Sequence, residues 1–213
     1  MKNLLLMALV TFSMVTSCKK EEASNPSPTV ATQISDFPIE PLNADELTSL
    51  LHMREEEKLA HDVYVTLYAK WGVPVFNNIS KSEQTHTEAI LTLIQRYQLV
   101  DPVGTHEVGV FEDSTLQTLY NQLVAKGNQS LLDAYNVGAT IEDLDIFDLN
   151  NWVKKVDNQD ILFVYGNLTK GSRNHMRSFY SQIISSGGTY TAQFITQAEL
   201  EAIINSDKEM GSK

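Results

Sequence analysis

Residues 79–93 read Ile-Ser-Lys-Ser-Glu-Gln-Thr-His-Thr-Glu-Ala-Ile-Leu-Thr-Leu. Taken at steps of three and four, the stretch gives Ile79, Glu83, His86, Ile90 and Leu93 on one face, a helical stripe that turns ionic in its middle. The i, i+3 spacing of Glu83 and His86 aims both side chains the same way from successive turns, as two ligands of one metal centre must be. A carboxylate buried without a partner costs several kcal/mol, so the pair calls for other charged groups opposite it.

Three more stripes have the same form. From about residue 44 to Trp71 the inward face carries Leu50, Glu57, Tyr64, Leu67 and Trp71, and Gly72 and Pro74 end the run. A helix from near Ser130 to about Val156 carries Leu131, Tyr135, Gly138, Glu142, Asp145, Leu149 and Trp152. A fourth, from near Asn158 to Ser185, carries Ile161, Tyr165, Leu168, Ser172, His175, Phe179 and Ile183. Interrupted stripes on four helices are tolerable if the interruptions converge on shared cations. That reading selects Glu57, Glu83, His86, Glu142, Asp145 and His175 as metal-ligand candidates; Asp145 is equally well read as an acceptor that orients a histidine. Ser172 reads as a small packing residue, Tyr64 and Tyr165 as core groups with satisfied hydroxyls, His61 as surface, and Glu55 and Glu56 as solvated. His52 and His106 show no partner pattern. No residue stands out as catalytic.

The link lengths set the expected architecture. The first and second helices, and the third and fourth, are joined by short links, so each pair is antiparallel. About thirty residues with a short helix at about 114–126 separate the second helix (about Asn78 to Gln98) from the third. An all-α, ferritin-like four-helix bundle with one long crossover is expected over 44–186, with 187–213 as a C-terminal extension holding a short helix at about 197–205.

The N-terminus reads differently. Lys2, the apolar run Leu4 to Val15 and Val15-Thr16-Ser17-Cys18 match a lipoprotein signal over 1–17. Cys18, the only cysteine, is the expected lipidation site, and 18–43 reads as a flexible tether. A bacterial cell-envelope location follows, anchored by lipid to the outer membrane or cell surface. The formal net charge of −11 argues against nucleic acid as a partner.

Four blocks in order sharpen the picture: Glu55-Glu56-Glu57-Lys58-Leu59-Ala60-His61-Asp62-Val63-Tyr64, Ser82-Glu83-Gln84-Thr85-His86, Gly138-Ala139-Thr140-Ile141-Glu142-Asp143-Leu144-Asp145 and Gly171-Ser172-Arg173-Asn174-His175. They resemble the ferritin-like di-iron superfamily, and within it a prokaryotic ferritin-like domain-of-unknown-function family. The resemblance implies a carboxylate-bridged di-iron or di-manganese centre, with Glu57, Glu83 and Glu142 as carboxylate ligands and His86 and His175 as nitrogen ligands. It departs from the usual plan on the fourth helix, where Ser172-x-x-His175 replaces Glu-x-x-His; Asp145 is the candidate substitute. Carboxylate and imidazole donors suit iron or manganese, and zinc also binds them. The expected function is metal binding with reactivity toward dioxygen or peroxide, drawing on an external electron donor. The alternatives are a non-catalytic envelope metal-binding module and an interaction scaffold with a vestigial site; a homodimer is an admissible assembly.

Overall fold

Asn43 starts the first helix through a reciprocal cap. Its side chain accepts from the Glu46 N–H, and Glu46 Oε2 accepts from the Asn43 N–H. Helix α1, Ala44–Trp71, runs from there and stops at Gly72, whose φ of +65° no branched side chain adopts without strain. After a two-residue link, α2 covers Pro74–Arg96. It starts earlier than the apolar pattern indicates, because proline is well placed in the first turn of a helix. Helix α3, Ser114–Gly127, lies in the crossover and packs on α1 and α4. Helix α4, Leu131–Trp152, is capped by Ser130; α5 is Gln159–Ser185 and α6 is Gln197–Ile204.

The computed structural model describes residues 33–210, and among them all regular structure is helical. The expected signal sequence, Cys18 and the tether as far as residue 32 lie outside the described residues. Pairs α1–α2 and α4–α5 make the most extensive helix packing, and α1–α4 and α2–α5 close the arrangement as in a bundle. Helix α6 packs on α5, with Leu200 and Ile203 buried.

The core is divided. One apolar cluster gathers Leu59, Val63, Leu67, Phe76, Ala134, Tyr135, Met176, Phe179 and Ile183 with Leu200 and Ile203. The other gathers Leu50, Met53, Ile90, Leu93, Leu149, Ile161, Val164 and Leu168, with Ile34 from the segment before α1. All four long helices contribute to both clusters, and on α1, α2 and α5 the residues between the clusters include the ionic ones, whereas on α4 Glu142 and Asp145 lie between Ile141 and Ile146 of the first cluster.

Sequence periodicity places Glu55 and Glu56 in solvent, and the structure does not. Every residue from Met53 to Ala60 is buried. The crossover lies over the outer face of α1, where Glu55 accepts from the backbone N–H groups of Glu112 and Asp113. Lys58 there donates to the Glu107 carbonyl and to Asp62. A long link that folds back supplies partners for charges that one helix face alone cannot explain.

Candidate metal centre

The polar layer between the two apolar clusters brings four helices to one place. Glu57 comes from α1, Glu83 and His86 from α2, Glu142 and Asp145 from α4, and His175 from α5. All but His86 are less than a tenth exposed, and His86 is partly buried. Five of these six residues form two triads that share Glu83: Glu57–Glu83–His86 and Glu83–Glu142–His175.

The two oxygens of Glu83 face different rings. Oε2 lies 2.7 Å from His86 Nδ1, and Oε1 lies 2.7 Å from His175 Nδ1. His86 Nδ1 is also 3.2 Å from Glu57 Oε2, and His175 Nδ1 is 3.4 Å from Glu142 Oε2. The imidazole rings are roughly stacked, with centroids 5.5 Å apart. One carboxylate thus sits between two nitrogen donors, each flanked by a further carboxylate.

Surrounding groups fix these side chains. Tyr64, fully buried, donates to Glu142 Oε1 at 2.5 Å. His175 turns Nδ1 to the carboxylates and shares a hydrogen bond of 3.0 Å between Nε2 and Ser82 Oγ, a partner that fixes the orientation of the ring. Gly171 makes room for His86: a Cβ at that position would come within 2.4 Å of the ring. Asp145 stands apart. Its Oδ2 accepts from the Ser172 hydroxyl, and it belongs to neither triad. So Ser172 serves both packing and hydrogen bonding, while Tyr165 donates to Ser49 Oγ as a satisfied core hydroxyl.

Electrostatics shows how crowded the layer is. Burial disfavours the charged form of His175, but Glu83 and Glu142 outweigh it and push its pKa up to about 10. For His86, burial again opposes the charge, and Glu83 and Glu57 raise its pKa well above the ordinary value. Burial would raise Glu83 too, yet the His175 and His86 rings hold its carboxyl far below the usual range. Glu57 moves the other way, up to about 8, because burial outweighs the pull of His86. Burial, with Glu57, Glu56 and Glu142 nearby, raises Asp145 strongly. Four carboxylates thus face two imidazoles in a region of low dielectric.

The layer also leaves hydrogen-bonding capacity unused. Glu57 Oε1 and Asp145 Oδ1 are buried and make no hydrogen bond, while the buried Glu83 Oε1 and His175 Nδ1 meet each other as an ion pair. Buried polar atoms are nearly always satisfied, so two unanswered oxygens in this layer indicate groups arranged around something more than their present neighbours. Carboxylate oxygen with imidazole nitrogen is a donor set for iron, manganese or zinc, and excess negative charge favours a cation. The residues present fit a metal.

Access is visible. A surface groove of about 780 Å³ between α2 and α5 reaches Ser82, Gly171 and His175 from the rim at Pro74, Arg177 and Lys208.

Two features escape a reading by helix face. Ser82 and Gly171 lie inside the blocks that mark the centre, but their roles depend on contacts across α2–α5. The second feature is a separate grouping of His52, Glu56 and Asp148. The i, i+4 spacing of His52 and Glu56 was its one local signal. His61 contacts Asp62 at the edge of the helix and joins no cluster.

Fold and site together define an all-helical protein with buried carboxylate and histidine clusters that could hold metal. The chain belongs to the family described as an uncharacterized protein domain, DUF2202, whose model matches residues 46–207. It is 52% identical over 178 residues to the uncharacterized protein MJ0754 of Methanocaldococcus jannaschii, a match covering 84% of this chain and 96% of that one. A crystal structure of hypothetical protein MJ0754 from the same organism superposes with a TM-score of 0.80 at 51% identity, over 81% of this chain and 99% of that one.

Proposed function

We propose that this protein is a ferritin-like metal-binding protein holding two metal ions in its four-helix bundle, with iron first and manganese or zinc as substitutes. The observation that carries the reading is Glu83, whose two oxygens each face a different imidazole 2.7 Å away. In this reading Glu57, Glu83, His86, Glu142 and His175 would hold the ions, with Glu83 shared by the two triads. A redox-active pair bound there would supply electrons to dioxygen or peroxide, with an external donor to restore them.

The remaining residues position and shield. Tyr64 holds Glu142 in place and Ser82 holds His175. The two apolar clusters keep bulk water from the layer above and below, leaving the α2–α5 groove as the approach. The proposal includes a lipid tether through Cys18 at the cell envelope, supported by the leader sequence; fatty-acid labelling abolished in Cys18→Ala is the expected result.

A non-catalytic metal-binding module is the second reading, and Asp145 favours it. Bonded to Ser172 and outside both triads, it leaves α5 with a single donor, His175. The deciding experiment loads the purified protein with Fe(II) without oxygen, removes unbound metal and admits air while absorbance is followed. About two irons per chain, oxidised rapidly, support the first reading. A single retained ion supports the second, and no retained metal in a folded protein ends both.

A further inference from the structure

Away from the central layer, α1 and α4 bring together a second mixed set of donors. His52 and Glu56 are one turn apart on α1, and Asp148 reaches them from α4. His52 Nε2 lies 3.4 Å from Glu56 Oε2 and 3.8 Å from Asp148 Oδ2. Both separations exceed the roughly 2.7–3.2 Å range of an N–H···O hydrogen bond. They are close to the spacing of ligands around a shared ion, which is about 3.4 Å at tetrahedral angles when each metal bond is about 2.1 Å.

Glu56 supplies the second observation. It is 3% exposed, and Oε2, the oxygen turned toward His52, is buried without a hydrogen bond. Elsewhere on α1 a buried carboxylate is answered by backbone: Glu55, the preceding residue, accepts from two N–H groups. Glu56 has no such partner, and it faces the one imidazole within reach. His52 and Asp148 are about a quarter exposed, so the set opens outward. A surface groove of about 400 Å³, walled by Leu51, Glu55, Asp113 and Trp152, ends at His52. The Trp152 ring lies against the imidazole, with centroids 6.3 Å apart, and limits its swing.

We propose that His52, Glu56 and Asp148 form a separate site for one divalent transition-metal cation of the Zn²⁺ type, with its remaining coordination position open to the groove. One imidazole and two carboxylates are a sufficient protein ligand set for such an ion. This site shares no ligand with the central layer, and the two are linked only through the field of Glu56 on Glu57 and Asp145.

The test follows Zn²⁺ binding to the full chain at equilibrium, after chelator treatment, by NMR of the histidine side-chain nitrogens. The wild type is compared with Asp148→Asn, His52→Gln and Glu83→Gln. We expect His52 Nε2 to move on addition of Zn²⁺ in the wild type and in Glu83→Gln alike. We expect Asp148→Asn to weaken that response by more than the roughly 10- to 100-fold that loss of an outer partner costs. In His52→Gln the bound Zn²⁺ falls by one equivalent while His86 and His175 respond as before. Asp148 and His52 are partly exposed, so both variants are expected to fold, and circular dichroism verifies this. A His52 resonance unmoved by excess Zn²⁺ overturns the proposal and leaves the cluster an ion pair. So does a response that Asp148→Asn leaves intact. If the central reading fails instead, His86 and His175 stay still while His52 moves.

Discussion

Two kinds of buried carboxylate occur within a few residues of each other. Asp143 is fully buried, yet it accepts from the Tyr190 hydroxyl and from the backbone N–H groups of Gln193, Phe194 and Ile195. Glu46 is equally buried and ties α1 to the turn before α5 through the N–H groups of Asp157 and Asn158. These charges hold loops down. Glu142, next to Asp143 in sequence, faces the interior instead, where it meets one tyrosine and one imidazole. One helix thus presents a structural acid and a candidate ligand on neighbouring positions, about 100° apart around its axis. Burial alone does not distinguish them; the identity of the partner does.

The strongest way to break this distinction is Asp143→Ala. It strands four donors, three of them backbone, and about 4 kcal/mol of unfolding free energy is expected to go. Denaturant titration measures it, and a loss below about 1 kcal/mol would remove Asp143 from the structural class. Next in size is the effect of metal itself. With free Mn²⁺ at about 100 times its dissociation constant, the folded state gains about 2.7 kcal/mol. Calorimetry should show that gain in the wild type and a clearly smaller one in Glu83→Ala; an equal gain in both would mean the triads are not the binding site.

How much of this could be read from the chain depends on where each partner lies. Caps and stops are local, so Asn43 with Glu46, Gly72 and Ser130 announce the ends of helices without any tertiary knowledge. Glu83 and His86 are also local, one turn apart inside an apolar stripe. The burial of Glu55 and Glu56 is not, because Glu55 is covered by a crossover more than fifty residues downstream that folds back over α1, and Glu56 is faced by Asp148 from α4. The His52 cluster is only half local for the same reason: Glu56 is one turn away, but the second carboxylate, Asp148 on α4, lies 96 positions from His52, the difference between 148 and 52. Asp145 could be assigned to either role from spacing alone, and only the position of Ser172 across α4–α5 shows which oxygen is engaged.

A finer test of the centre is Gly171→Ala. The added methyl meets the His86 ring, so a loss of metal affinity of roughly tenfold is expected, with little change in the stability of the metal-free fold. Isothermal titration gives the first and denaturant titration the second. A stability loss with unaltered affinity would make Gly171 a packing residue only.

The smallest effect belongs to a half-buried cluster near the C-terminus. Glu209 bonds Arg173 and Arg177, and Arg173 above all holds its pKa down, to about 2 against an ordinary 4.5. A depressed carboxyl contributes stability above its unfolded pKa and loses it as pH falls, here from about 4.5 to about 2. Because the group is partly solvated, Glu209→Gln is expected to cost only about 0.5 kcal/mol at neutral pH and nothing at pH 2. A cost that persists at pH 2 would have to come from something other than the charge.

The divided core carries one more consequence. Helices α1, α2 and α5 are gripped by apolar packing on both sides of the span that carries their metal-facing donors. A slip of one residue in register turns a helix by about 100°, which would expose a packed face at either end before it displaced the donors in the middle. The azimuth of each of these donors is therefore set twice, from above and from below, like a shaft held in two bearings. Substitutions at Leu93, ten residues along α2 from Glu83, or at Phe179, one turn along α5 from His175, are therefore expected to change the aim of those donors.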